Sequence, residues 1–430
     1  MNWSPKRRDV LAGLAGLAGL AGTAALPLLA SPAIAQAQTN IVIVGGGFGG
    51  AAAARFVKTY LPNASVTLIE PQARYTACPF SNLVIAGLRS LEAQQFGYEG
   101  LKAIGIKVIG DRAEDVDAAG RTVTLGSGDV LSYDKLILSP GIDIRWGALE
   151  GYDEAAASIM PHAWKAGPQT SLLRQQLEAM PDGGTVIMSV PTAPYRCPPG
   201  PYERASLIAH YLRTQKPASK LIVLDAKDEF SKQPLFLEAW AEHYPDHLEW
   251  IGASDFGRVI SVDSAAMTLS TDFDTYKADV ANVIPPQKAG EIAVRAGVAD
   301  QTGWCPINPV DFSSTLQPDI YVIGDATIAA PMPKSAFSAN LQAKLCALQI
   351  ARELKGEKPA PTILANTCYS YVTPDAAVSI TGVYSNDGGR LSSVEGSGGL
   401  SPAGPAPGVR AAEAAEAEAW FEQITQQTFG

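Results

Sequence analysis

The segment IVIVGGGFGG, Ile41–Gly50, constrains the fold more than any other stretch of the chain. A short apolar strand, Ile41–Val44, runs into Gly45, Gly47 and Gly50, spaced G-x-G-x-x-G, and AAAARFVKTYL continues as a helix. SVTLIE, Ser65–Glu70, then reads as a second strand ending in an acid. The first two glycines let the backbone turn and approach a pyrophosphate, and the third lets helix and strand pack closely. The helix N-terminus faces the phosphates, and Glu70 is placed for ribose hydroxyls. A lone glycine pattern is a weak sign. Strand, glycines, helix, strand and acid in this order predict a dinucleotide-binding βαβ unit.

The rest of the chain extends that unit. Short strands are expected around Lys107–Ile109 and Arg121–Leu125, and Tyr133–Gly141 reads as a buried strand entering a glycine turn. In flavoenzymes with two dinucleotide-binding domains, a strand and glycine such as Gly141 return the chain past FAD. A second βα unit starts at TVIMSV, Thr185–Val190, but its turn is PTAPYRCPPG, Pro191–Gly200. Prolines have no N–H to offer a phosphate, so this domain keeps the architecture and loses NAD(P)H. The strand Leu221–Leu224 ends in Asp225, a relic of the same unit. DIYVIGD, Asp319–Asp325, is a strand followed by Gly324 and Asp325, placed for the ribityl chain or pyrophosphate of FAD. A helix over Ser335–Leu354, a linker over Gly356–Thr362, two alternating strands near Thr367–Val372 and Ala377–Tyr384 and an acidic helix over Ala411–Thr428 complete the chain. The expected class is α/β: two Rossmann-like dinucleotide-binding domains plus a C-terminal α+β domain. The boundaries are 38–150 with 285–355 for FAD, 151–284 for the second domain and 360–430 for a C-terminal interface domain.

The N-terminus carries Lys6, Arg7 and Arg8, then a small, apolar stretch and SPAIAQA. This is an export signal, and Arg7-Arg8 with Leu11 gives it twin-arginine character. Cleavage at Ala33-Ile34-Ala35 or Ala35-Gln36-Ala37 follows, leaving residues 1–35 as signal. A membrane anchor is disfavoured because the stretch is so rich in Gly and Ala. The twin-arginine route carries folded, cofactor-loaded proteins, so a periplasmic location is expected. Removing the signal's net +2 takes the formal charge from −10 to −12. That acidity argues against nucleic acid and anionic membrane. All 5 cysteines, Cys78, Cys197, Cys305, Cys346 and Cys368, lie in the exported part, so a disulfide is permitted and an odd thiol remains. There is no Cys-x-x-Cys-His for a c-type haem, and the 4 histidines have no ligand spacing, so no metal site is expected.

ARYTACPFSN, PYRCPPGPYERAS, NVIPPQKAG, GWCPIN, YVIGDA and NTCYSYV together resemble the flavoprotein subunit of flavocytochrome c sulfide dehydrogenase. The resemblance covers essentially the whole exported chain, and the wider fold is of glutathione-reductase type. It implies FAD bonded through sulfur to its 8α carbon at Cys78. It implies a redox-active disulfide over the flavin between Cys197 and Cys368, and a glutamate at Glu203 that serves as base or simply as a helix N-terminal acid. It implies sulfide as substrate and a c-type cytochrome subunit, in a heterodimer, that carries the haem. Cys346 reads as core, and Cys305 as a weak alternative partner for either disulfide cysteine. Lys334, near Gly324 and Asp325, reads as a solvated lysine ahead of the alternative that it places positive charge near the flavin's pyrimidine ring, and His162 reads as a structural histidine.

Hydrosulfide attack on such a disulfide gives a persulfide and a released thiolate. A sulfide:quinone oxidoreductase is the runner-up, though RAAEAAEAEAWFEQITQQTFG is too acidic for a membrane-facing tail. An accessory flavoprotein that keeps a sulfur-oxidising complex in its active redox state is a third reading. An NAD(P)H-dependent disulfide reductase ranks last.

Overall fold

The computed structural model describes residues 38–430; the expected signal, residues 1–35, lies outside the described residues. A five-stranded parallel sheet carries the fingerprint. Its order is Ile320–Val322, Lys135–Leu138, Asn40–Val44, Ser65–Ile69, Lys107–Ile109. Ile43 lies opposite Leu68 on one side and Ile137 on the other, and Leu138 opposite Val322. These central strands are apolar on both faces, as a parallel sheet covered by helices requires.

One cover is the helix Gly50–Tyr60, whose Ala51, Ala52, Ala53 and Ala54 are all buried. Four consecutive alanines leave no room for a larger spacer. The helix therefore packs tightly against Ala336–Leu354, through Ala343 and Ala347 of the same core. Ser335 caps that second helix by accepting from the Ser338 N–H at 3.0 Å.

A four-stranded parallel sheet, in the order Leu248–Ile251, Lys220–Asp225, Thr185–Val190, Val280–Val283, forms the second βα layer. Its first helix, Gly200–Gln215, begins after the proline-rich turn. The C-terminal segment is the antiparallel hairpin Ile363–Thr373 and Ala376–Ser385, with a register irregularity between Tyr371 and Thr373. The helix Val409–Phe429 lies against it and buries Phe421 and Phe429. One face of the acidic C-terminal helix expected from sequence thus joins the core, polar Glu413, Thr425 and Thr428 included.

Candidate flavin and thiol site

A cavity of about 1000 Å³ opens where these layers meet. Three helices start at its wall: Gly50–Tyr60, Gly200–Gln215 and Ala336–Leu354. Their N-terminal N–H groups give the wall partial positive charge, which suits an anionic ligand. The fingerprint glycines are required by contact. Gly45 has φ +98°, and a Cβ there would sit 2.2 Å from the Ser139 carbonyl oxygen. A Cβ on Gly50 would sit 1.8 Å from the Gly45 oxygen. Gly47, Gly141, Gly324 and Glu70 also line the cavity. Glu70 accepts from the Gly46 N–H at 2.7 Å and the Gln72 N–H at 2.9 Å, which fixes its carboxylate at the rim.

Asp325 lines the same cavity. Burial pushes its carboxyl up, and Arg196 and Lys334 act against that. Arg196 Nη1 stands 3.9 Å from Asp325 Oδ2. Asp325 Oδ1, Trp164 Nε1 and Trp420 Nε1 are buried without a hydrogen-bond partner, and all three residues line the cavity. Unpaired buried polar atoms are costly, so such a cluster calls for a ligand. Cavity size, three helix N-termini, the glycine cradle, Glu70 and these atoms all fit FAD. Gly45–Gly50 would hold the pyrophosphate and Glu70 a ribose, with Asp325 a further polar contact.

The thiols converge on the same cavity. Cys78, Cys197 and Cys368 line it, and each is a free thiol in the structure. Cys197 sits just before the helix Gly200–Gln215 with φ +56° and its N–H bonded to the Lys334 carbonyl at 2.9 Å. That left-handed backbone is unusual for a side chain with a Cβ. Burial pushes the Cys197 thiol up, with Cys368 the next cause, so the two sulfurs feel each other. Burial also raises Cys368, against Lys232 and the amide of Asn366, whose Nδ2 lies 3.2 Å from Sγ. Lys232 is 3% exposed and burial lowers its amine to about 8. It donates to the Cys368 carbonyl at 2.9 Å and to Ser370 Oγ at 2.9 Å.

Glu203 lies in the first turn of its helix, as sequence placed it, but it is buried and enclosed. It accepts from Asn82 Nδ2 at 2.7 Å and the Tyr371 N–H at 2.9 Å, and burial raises its carboxyl. Arg204 follows it, 2% exposed, and donates to Asn82 Oδ1, the His162 and Ala163 carbonyls and Asn282 Oδ1.

Other expectations change. Lys334 is not a solvated lysine: its amine donates to the Asp325 carbonyl at 2.9 Å and the Thr327 carbonyl at 2.6 Å, and lies 3.8 Å from the Trp304 ring centre. Burial lowers it to about 8. Cys305 is buried and is not among the cavity-lining residues, so it does not stand with Cys197 and Cys368. Cys346 is core. His162 is buried and accepts from the Trp164 N–H at 2.9 Å, a structural role at the cavity wall. Sequence reasoning missed Arg196, Arg204, Asn82, Trp164 and Lys232. For Arg196, its place beside Cys197 in PYRCPPG was the available signal.

Fold and cavity together define a flavin-dependent oxidoreductase of the pyridine nucleotide-disulphide class, whose family model matches residues 39–166. Two further models match the flavoprotein chain of flavocytochrome c sulfide dehydrogenase, its central part over residues 170–285 and its flavin-binding part over 359–429. The chain belongs to that flavoprotein family. It is 52% identical over 45 residues to the flavocytochrome c sulfide dehydrogenase flavoprotein chain of Chlorobaculum thiosulfatiphilum, spanning 10% of this chain and 94% of that sequence. It is 22% identical over 342 residues to the mitochondrial sulfide:quinone oxidoreductase of Mus musculus, covering 74% of this chain and 72% of that protein. Its fold matches the X-ray structure of the sulfide:quinone oxidoreductase from Aquifex aeolicus, with TM-score 0.71 at 18% identity over 90% of this chain and 92% of that one.

Proposed function

We propose that this protein oxidises sulfide through a Cys197–Cys368 disulfide and a FAD tethered at Cys78, and passes the electrons to a c-type cytochrome subunit in the periplasm. The carrying observation is that Cys197, from the proline-rich turn, and Cys368, from the C-terminal hairpin, line one cavity with the dinucleotide fingerprint. Hydrosulfide attacks one sulfur of the disulfide; an S–S bond to the incoming sulfur forms, the old S–S bond breaks, and the other cysteine leaves as thiolate. On the Cys368 side, the Lys232 amine and Asn366 Nδ2 stabilise the negative charge. On the Cys197 side, the helix N-terminus at Gly200 does so. Glu203, its carboxyl raised by burial, takes the proton of the bound sulfur. A bound FAD supplies a two-electron acceptor that can pass electrons on singly to a haem.

Transfer to quinone is the second reading, favoured by the long alignment with mouse sulfide:quinone oxidoreductase. Among the described residues no helix is long and apolar enough to cross a membrane. The test is anaerobic: sulfide is added to purified protein and the flavin absorbance followed, then a c-type cytochrome or a short-chain quinone is offered. Bleaching by sulfide, lost in Cys197→Ser and Cys368→Ser, supports the reaction. Reoxidation by cytochrome at least tenfold faster than by quinone supports the first reading; the reverse order supports the second.

A further inference from the structure

Cys78 and Arg196 meet at one atom. The Cys78 thiol points at the Trp164 carbonyl oxygen, with Sγ 4.0 Å away, and Arg196 Nη2 donates to the same oxygen. That oxygen is held in place. Arg204 donates to the neighbouring His162 carbonyl at 3.0 Å and Ala163 carbonyl at 2.6 Å, and Asn282 Nδ2 to His162 at 3.0 Å. Arg196 is itself fixed, its backbone N–H bonded to Gln287 Oε1 at 2.9 Å and its Nη1 facing Asp325. Burial works against the guanidinium's charge, and Cys78 is the largest influence that offsets it. The proline-rich turn thus carries Cys197 and, one residue earlier, a cation that shares a carbonyl oxygen with a different cysteine.

We propose that Arg196 is the positioning residue for attachment of the flavin to Cys78: it stabilises negative charge on the sulfur as the thioether forms, while the Trp164 carbonyl orients the thiol. The inference rests on the tether reading above. In the attachment, Cys78 Sγ forms a bond to the methyl carbon of the bound flavin ring. One C–H bond and the S–H bond break, and their two protons and two electrons remain with the ring. Dioxygen or the enzyme's own electron acceptor then removes them. A cation close to the sulfur lowers the cost of the thiolate that makes this bond, as it does for reactive cysteines generally. The turn that replaced a nucleotide phosphate loop would then serve both sulfur chemistries of the site.

The test uses the full chain with Arg196→Gln and Arg196→Lys. Total flavin is read from the native spectrum, and tethered flavin from the colour remaining on acid-precipitated polypeptide and from the mass of the Cys78 peptide. The expected result is nearly complete tethering in the wild type, at least tenfold less in Arg196→Gln at equal flavin content, and substantial rescue in Arg196→Lys. Full tethering in Arg196→Gln overturns the inference. If Arg196→Gln retains no flavin, iodoacetamide labelling of Cys78 in flavin-free wild type and variant decides it. About tenfold slower labelling in the variant supports the role, and equal rates overturn it. A wild type that carries only releasable FAD refutes the tether reading instead, and the same labelling comparison still decides whether Arg196 acts on the sulfur.

Discussion

His162 shows how one buried side chain at the cavity wall links pH to stability. Its Nδ1 accepts from the Trp164 N–H, so the folded protein holds it neutral, and burial, with Arg204, Lys165 and Arg196 nearby, lowers it to about 3. In the unfolded chain it titrates near 6.5. Between those values the unfolded state binds a proton that the folded state refuses, so stability rises with pH there. The contribution is complete above 6.5 and is lost as pH falls toward 3. Going from pH 7.5 to pH 5 should cost the wild type about 2 kcal/mol from this group alone. His162→Asn keeps an acceptor for the Trp164 N–H and does not titrate, so its urea midpoint should fall by that much less over the same range. Equal pH slopes in the two proteins would show that His162 does not titrate in this way.

Among the elements, the C-terminal helix Val409–Phe429 closes one side of the site, and its anchor is aromatic. Phe421 is 2% exposed and stacks on Phe80 at 4.6 Å between ring centres, with the Arg89 guanidinium 5.1 Å above it. Phe80 lies two residues from Cys78, so the helix braces the segment that carries that thiol. Phe421→Ala should cost about 3–5 kcal/mol, read as a lower midpoint in urea unfolding, and should leave Trp420 more accessible to quenchers. The fingerprint turn makes a sharper prediction. A methyl group on Gly50 meets the Gly45 carbonyl oxygen, so Gly50→Ala should yield a folded or marginally folded protein that purifies without FAD. A fully yellow Gly50→Ala protein would sink this account of the cradle. These elements were legible in sequence for local reasons. The strand Thr185–Val190 has the bounds read from its apolar run, and the helix expected over Ser335–Leu354 differs only in that Ser335 is its cap. The C-terminal hairpin is longer than expected, Ile363–Thr373 with Ala376–Ser385, because Ile363, Leu364, Ala365 and Asn366 also pair across the strands ahead of the expected start at Thr367.

At the scale of the molecule, what sequence could not give was convergence. Cys78, Trp164 and Arg196 come from three separate segments, and no periodicity or spacing relates them; only the packed layers bring the thiol and the guanidinium to one carbonyl. The same limit applies to the second sheet. Sequence marked Asp225 as a relic of a nucleotide site from its position at a strand end, but not what had become of it. In the structure Asp225 is fully buried and its oxygens are taken. Tyr202 donates to Oδ2 at 2.6 Å, Lys227 to Oδ1 at 2.6 Å and Trp250 Nε1 to Oδ2 at 3.2 Å. Phe230 stacks on Tyr202 at 3.6 Å, so aromatic rings surround the carboxylate that a ribose would need. A nicotinamide nucleotide would have to break those hydrogen bonds, about 1.5–3 kcal/mol for each one to a charged group, and expel the stacked rings. The turn ahead of the helix Gly200–Gln215 has four prolines, Pro191, Pro194, Pro198 and Pro199, in place of phosphate-binding N–H groups. Millimolar NADH or NADPH under anaerobic conditions should therefore leave the flavin oxidised over minutes, while sulfide at the same concentration bleaches it. Nucleotide reduction at a rate comparable with sulfide would mean that the aromatic infill opens, and that the second domain still works as a nucleotide site.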